Sequence, residues 1–160
     1  MNARWTALLL GVVCCAALTV RSTATDTPQA GPKKLPDAVV KILEGATELE
    51  IGALDPGDEK GDPKSLGKTV VKDAAKRAEI LKALYKSVAE GEFPAKCFIP
   101  RHTLRATKDG TTVDMVICFQ CSRIHMTVGK QAEPDIIPIS EALLPVLNKI
   151  LADAGIKVAN

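Results

Sequence analysis

Four side chains in the middle of this chain have types and spacing that could support chemistry. Cys97 and His102 lie in the run Cys97-Phe-Ile-Pro-Arg-His102, and Cys118 and Cys121 lie in Cys118-Phe-Gln-Cys121. Thiols and an imidazole that lie close together can form a disulfide, bind a metal ion or take part in thiol redox chemistry. Each possibility requires the intervening chain to fold back and bring the two runs together.

The intervening chain carries a strong signal for a β-hairpin. Asp109-Gly110 predicts a two-residue type I′ turn in which Lys108 pairs with Thr111. This register sets Arg105 opposite Asp114, which is a pair of opposite charges. The same register predicts one buried face with four further pairs: Leu104 with Met115, His102 with Ile117, Pro100 with Phe119, and Phe98 with Cys121.

The apolar alternation changes phase after this hairpin. Apolar residues are mostly odd-numbered from 113 to 119 and even-numbered at Ile124, Met126 and Val128. A slip of one residue exchanges the two faces of a strand, so the pattern predicts a bulge or bend near 118–122. The cysteines therefore lie where both strands are expected to be irregular.

The first 24 residues are typical of a signal peptide. Arg4 gives a positive start, residues 6–20 form an uncharged and mostly apolar run, and Ser22-Thr-Ala24 supplies small residues for cleavage after it. The run of about 15 residues is shorter than the ~20 that span a bilayer. We therefore expect an exported, periplasmic or extracellular protein with no stable membrane span after cleavage. Cys14 and Cys15 are interpreted as ordinary apolar residues of the hydrophobic region of the signal peptide, and their lipidation is left open.

Removal of this segment changes the cysteine count from five to three. Export permits disulfides, and an odd count leaves one thiol after one bridge. In the predicted register Cys118 lies about 13 Å along the strand from Cys97, whereas Cys121 lies nearer the end where Cys97 sits. The sequence therefore favours a Cys97–Cys121 disulfide with Cys118 as the spare thiol.

A zinc site is the alternative cofactor prediction. Cys118 and Cys121 have the spacing of a zinc-binding pair, and Cys97 and His102 would complete four ligands. A second closely spaced pair is missing, and His102 shares the buried face with Ile117. The sequence supports redox catalysis less than it supports zinc, because this Cys-x-x-Cys lies between strands rather than at a helix N-terminus. The first expectation is that the protein holds no cofactor.

Composition excludes some classes of function. Arg4 and Arg21 leave with the signal peptide, so 19 Lys and Arg face 19 Asp and Glu in the remaining chain. A nucleic-acid surface normally needs a basic excess, so we expect no nucleic-acid partner. The remaining aromatic residues are Tyr85, Phe93, Phe98 and Phe119, which are too few for an aromatic-lined ligand groove.

The remaining elements predict an α+β fold in a single domain, residues 37–160, after a flexible leader, residues 25–36. Hydrophobic periodicity predicts helices over 37–44, 73–90 and 140–155, and strands over 48–54 and 66–71 in addition to the hairpin. We expect a mostly antiparallel sheet of about four strands with two to three packed helices.

The two cysteine runs resemble a group of uncharacterised exported bacterial proteins. These proteins are similar in pairing a CFxPRH-like strand with an ICFxC-like strand, here Cys97–His102 and Ile117–Cys121, across a turn that contains Gly. The likeness extends from about Leu49 to Gly155, and Thr103 often corresponds to Gly or Ala. The resemblance implies a shared cysteine site and no known activity.

These observations predict a non-enzymatic binding or structural module. Its partner would be an unknown protein or an envelope component, and its cysteine cluster would be structural. The alternative is a metal-binding or thiol-redox protein that uses the side chains of Cys97, His102, Cys118 and Cys121. No catalytic or cofactor-binding residue is assigned.

Overall fold

The computed structural model describes residues 34–57 and 63–159. The predicted signal peptide, its cleavage point, Cys14, Cys15 and most of the predicted leader lie outside these residues. Leu35, near the end of that leader, is buried in the core, so the packed structure begins before Asp37. Among the described residues, no helix is long and apolar enough to cross a membrane.

The secondary structure agrees with an α+β fold. In chain order the elements are α1 (Asp37–Gly45), β1 (Leu49–Asp55), β2 (Lys64–Val71), α2 (Ala74–Ala89), β3 (His102–Lys108), β4 (Thr111–Cys118), β5 (Arg123–Val128), β6 (Asp135–Pro138), a 3₁₀ turn (Glu141–Leu143) and α3 (Leu144–Asp153).

The helices begin and end where capping residues occur. The Asp73 carboxylate accepts a hydrogen bond from the Lys76 N–H at 2.8 Å, which satisfies a free donor at the start of α2. Ser140 caps the 3₁₀ turn through Ala142, and this turn leads into α3. Gly155 has a φ of 71°, a left-handed conformation that suits glycine and ends α3.

Within the described residues, six strands form one antiparallel sheet in the order β2-β1-β3-β4-β5-β6. The predicted fold class is confirmed, and the strand count is higher than the four expected. The two additional strands are β5 and β6. The phase change after the hairpin is not a bulge within one strand, because the chain reverses between Cys118 and Arg123 and pairs β5 with β4.

The predicted hairpin register is confirmed over the whole β3–β4 ladder. Lys108 pairs with Thr111, and the ladder continues to His102 opposite Ile117. Both turn residues have positive φ, 50° at Asp109 and 77° at Gly110, as a type I′ turn requires. The predicted pairs beyond His102 do not form, because β3 begins there and the preceding chain leaves the ladder.

Replacement of Gly110 by valine should destabilise the protein by about 1 kcal/mol or more. A Cβ at Gly110 would meet no atom within 4 Å, so the loss would come from the backbone conformation and not from a clash. Urea denaturation measures the change. Thr111→Val, at an exposed strand position beside the turn, is the control and should change stability by less than about 0.5 kcal/mol. Equal midpoints for Gly110→Val and wild type would contradict the turn.

The two faces of the sheet have different surroundings. One face carries the apolar side chains of the core, including Ile51, Leu104, Met115 and Ile124, and packs against the helices. We call the other side the open face. A row of paired residues crosses it from β1 to β6: Gly52, Thr103, Val116, His125 and Ile136.

Candidate functional site

The chain between α2 and β3 lies against the end of the sheet. We call residues 95–101 of this connection the strap. The Ala95 N–H donates to the Cys121 carbonyl at 3.1 Å, and the Arg101 N–H donates to the Ile117 carbonyl at 3.2 Å. Arg123 adds a side-chain hydrogen bond to the Lys96 carbonyl at 3.1 Å. The strap is therefore attached at both of its ends to β4 and to the β4–β5 turn.

The strap brings three sulfur atoms together. Cys118 and Cys121, with Cα atoms 5.2 Å apart, form a disulfide within the tight turn between β4 and β5. Cys97 is the free cysteine of the described residues, and its side chain is exposed. Its Sγ lies 3.0 Å from the Sγ of Cys121.

The disulfide of the structure differs from the pairing that the sequence favoured. Cys97 and Cys121 are brought together as expected, but the bond joins Cys121 to Cys118, and Cys97 is the spare thiol. The reason is the local backbone. A bulge would have left residues 119–121 extended, whereas a tight turn with Ser122 at a φ of 51° folds Cys121 back toward Cys118.

Two backbone donors point at the sulfur of Cys118. The Cys121 N–H lies 3.1 Å from this sulfur, and the Ile99 N–H of the strap lies 3.4 Å from it. Cys118 and Cys121 are both buried. Hydrogen bonds from N–H groups favour the thiolate form of a sulfur over the thiol, so these two donors would stabilise the Cys118 sulfur if the disulfide opened.

His102 lies apart from the sulfur atoms, on the helix-covered face. Its Nε2 is 2.8 Å from Oδ1 of Asn148, and because an amide oxygen only accepts, Nε2 carries the proton. Its ring meets Phe119 edge to face, with centroids 5.2 Å apart. Among the described residues, no group of three or more His, Cys, Asp or Glu is arranged to hold a metal ion. The alternative zinc site therefore stays a prediction.

Protonation of His102 is opposed by its surroundings. Burial lowers the pKa of His102 below its ordinary 6.5, the hydrogen bond to Asn148 acts in the opposite direction, and the Arg101 charge lowers the pKa again. The remaining ring nitrogen, Nδ1, is buried with no hydrogen-bond partner in the described part of the chain. A proton added at Nδ1 would therefore be left without an acceptor.

The free energy of unfolding should fall as the pH drops below about 6.5. In this range His102 binds a proton in the unfolded chain but stays neutral in the folded protein. The contribution is complete above the unfolded pKa and is lost progressively toward the lower folded pKa. His102→Gln removes this titration, so its unfolding free energy should change less between about pH 7.5 and pH 5.5 than that of the wild type. Urea denaturation at the two pH values measures both slopes. Identical slopes would contradict the assignment.

A second histidine, absent from the predicted site, lies on the open face. The rings of His125 and Phe98 stack with centroids 3.6 Å apart and an angle of 10° between their planes. The Arg123 guanidinium lies over the same Phe98 ring, 5.0 Å from its centroid. Burial lowers the pKa of His125, and the Arg123 charge lowers it further, so His125 is neutral at neutral pH. The apolar alternation of Ile124, Met126 and Val128 leaves His125 on the opposite side, but it gives no sign of this contact.

An apolar cleft of about 680 Å³ adjoins this stack. Thr103, Val116 and His125 form its floor on the open face, and Phe98, Ile99 and Pro100 of the strap form one wall. Leu54 and Pro56, at the end of β1, line another side. The volume falls in the range of about 300–1,000 Å³ that is usual for small-molecule sites.

One residue that lines the cleft has an unsatisfied polar atom. Nε2 of His125 is buried and has no hydrogen-bond partner in the described ranges. A neutral imidazole nitrogen donates or accepts according to its tautomer. The cleft can thus hold an apolar ligand, and the Thr103 and Thr127 side chains add polar groups to its lining.

Comparison of the chain with protein-family models, with curated proteins and with solved structures finds no match.

Proposed function

We propose that this protein is an exported, non-enzymatic binding module that takes a small apolar ligand into the cleft on its open face. The observation that carries the proposal is the cleft itself, whose walls are mainly aliphatic and proline side chains. Concave apolar sites with a few polar groups are the usual form of ligand sites. The ligand class is a small, uncharged and mainly apolar molecule.

Two features support a binding role over a catalytic one. The polar side chains of the cleft are Thr103, Thr127 and His125, and none of them is hydrogen-bonded to another of the three in the described structure. A nucleophile and its base normally lie within hydrogen-bond reach of each other. His125 is engaged by the Phe98 ring on its face, which suits a fixed wall of a binding site.

Export is supported by the N-terminal sequence and by the disulfide. Arg4, the apolar run 6–20 and the small residues before position 25 have the order of a signal peptide. Disulfides persist mainly in oxidising compartments, and Cys118 and Cys121 form one.

N-terminal sequencing of the secreted protein should show a mature chain that begins near Thr25. A chain that retains Met1 or begins at a lipidated cysteine would contradict export by this route.

Binding of the neutral apolar dye Nile red tests the cleft. Wild-type protein should bind about one equivalent with increased fluorescence. Val116→Glu places a charge on the cleft floor and should weaken binding at least tenfold, because burial of an unpaired carboxylate against an apolar ligand is unfavourable. Thr112→Glu is the matched control, since it lies on the same face of the same strand outside the cleft. Equal binding by all three proteins would contradict the proposal.

A further inference from the structure

The three cysteines have different environments that together suit a thiol–disulfide exchange. Such an exchange needs an accessible thiol, a disulfide sulfur within reach, and a leaving sulfur that is stable as a thiolate. Cys97 is the accessible thiol, and Cys121 carries the sulfur 3.0 Å away. Cys118 is the remaining partner, and its sulfur faces two backbone N–H donors.

We infer that Cys97, Cys118 and Cys121 form an exchange site in which the disulfide passes between Cys118–Cys121 and Cys97–Cys121. The Cys97 thiol gives its proton to water, and its thiolate attacks Sγ of Cys121. The Cys97–Cys121 bond forms as the Cys118–Cys121 bond breaks. The electron pair leaves with Cys118 as a thiolate, which takes a proton from water, and the reverse step restores the first bond. No external oxidant or reductant is consumed.

The separation of the atoms fits this step. Reacting atoms held about 3–3.5 Å apart are near the geometry of attack, and 3.0 Å separates the two sulfurs that would join. The strap supplies both the attacking thiol of Cys97 and the Ile99 N–H that stabilises the leaving sulfur. Attack on Cys121 therefore has donors ready for the charge that develops on Cys118.

Chain entropy does not oppose the exchange. The Cys118–Cys121 bond joins residues three apart, whereas Cys97 and Cys121 are 24 apart in the sequence. A disulfide that closes a longer loop restricts the unfolded chain more strongly. The exchanged form would also tie the strap covalently to the β4–β5 turn.

The exchange would act on the cleft, and this consequence rests on the proposed function. Phe98, Ile99 and Pro100 follow Cys97 directly in the strap and form one wall of the cleft. A Cys97–Cys121 bond would anchor that wall, whereas a Cys118–Cys121 bond leaves it attached by hydrogen bonds and ring contacts alone. The exchange site itself does not depend on a ligand.

Disulfide mapping tests the exchange. The native protein is quenched in acid, and its thiols, including that of buried Cys118, are then alkylated in denaturant. Trypsin separates residues 97–101 from residues 109–123, because Lys96, Arg101, Lys108 and Arg123 flank them. A Cys118–Cys121 bond leaves an alkylated 97–101 peptide, whereas a Cys97–Cys121 bond links the two peptides and leaves Cys118 alkylated. We expect both forms in wild-type protein, in a ratio that tenfold dilution does not change. Absence of the linked form at every time and pH would overturn the inference.

Single variants identify the role of each sulfur. Cys118→Ser should give only the linked peptides, and Cys97→Ser should give only the bond within 109–123. Cys121→Ser should leave both remaining thiols open to alkylation, because the exchange passes through Cys121. A Cys97–Cys118 link in Cys121→Ser that forms as completely as the wild-type bond would overturn the assignment of Cys121 as the attacked sulfur. Nile red binding by these variants separates an effect on the cleft from the exchange itself.

Discussion

Cys121→Ser should destabilise the oxidised protein by about 2–4 kcal/mol, which is the usual effect of a lost native disulfide. Cys121 is the one sulfur that takes part in both possible bonds, and its side chain is fully buried. The change removes each disulfide and also leaves a serine hydroxyl in a buried site. Urea denaturation under oxidising conditions measures the loss.

Cys97→Ser and Cys118→Ser are the matched comparisons, and each should lose less than half as much stability. Cys97→Ser keeps the Cys118–Cys121 bond, and Cys118→Ser leaves Cys97 and Cys121 at 3.0 Å, ready to join. All three variants should converge on one stability in the presence of reductant, apart from small packing effects. A loss in Cys97→Ser equal to that in Cys121→Ser would show that Cys97–Cys121 is the main stabilising bond, contrary to this expectation.

Gly91→Ala should destabilise the protein by about 1–3 kcal/mol or more through overpacking. Gly91 is buried where α2 ends and the connection to the strap begins. A Cβ at this position would overlap the backbone carbonyl of Pro138 and lie 2.8 Å from the backbone nitrogen of Ile139. Backbone atoms cannot move aside as a flexible side chain can, so either α2 or the end of β6 must shift.

Glu92→Ala is the control for Gly91→Ala, because residue 92 is exposed and adjacent. It should change the unfolding free energy by less than about 0.5 kcal/mol. Thermal or urea denaturation of both variants gives the comparison. A Gly91→Ala protein as stable as the wild type would mean that the end of β6 does not lie against Gly91.

The local elements were predictable because their signals are local. Asp109-Gly110 sets the turn, and the register of β3 and β4 then follows residue by residue. Asp73 and Ser140 mark helix starts in the same way, because their side chains bond to N–H groups two or three residues further on. Interactions of this range leave a recognisable pattern in the sequence.

The extra strands were missed because one pattern fits two structures. A phase change in the apolar alternation after Cys118 fits a bulge within one strand as well as a tight reversal between two. The deciding feature is the positive φ of Ser122. Serine seldom adopts this conformation, so a serine at this position of the sequence does not predict it. β6 contributes four residues, two of them exposed, so its alternation is too short to stand out.

The candidate site was predicted in part for a related reason. The sequence gathered the three cysteines correctly because the hairpin brings residues 97–102 and 117–121 to the same end of the sheet. It grouped His102 with them, although the side chain points to the helices and bonds to Asn148. The stack of Phe98 on His125 joins an irregular segment to a strand that was not recognised. Hydrophobic periodicity in the sequence does not predict a contact of this kind.

Both the cleft wall and the sulfur cluster depend on the position of the strap over the open face. NMR of the His125 ring protons tests this most directly. With Phe98 stacked at 3.6 Å, these resonances should be shifted upfield, show cross-relaxation with the Phe98 ring, and return toward ordinary values in Phe98→Leu. His125 resonances at ordinary positions that Phe98→Leu leaves unchanged would contradict the account.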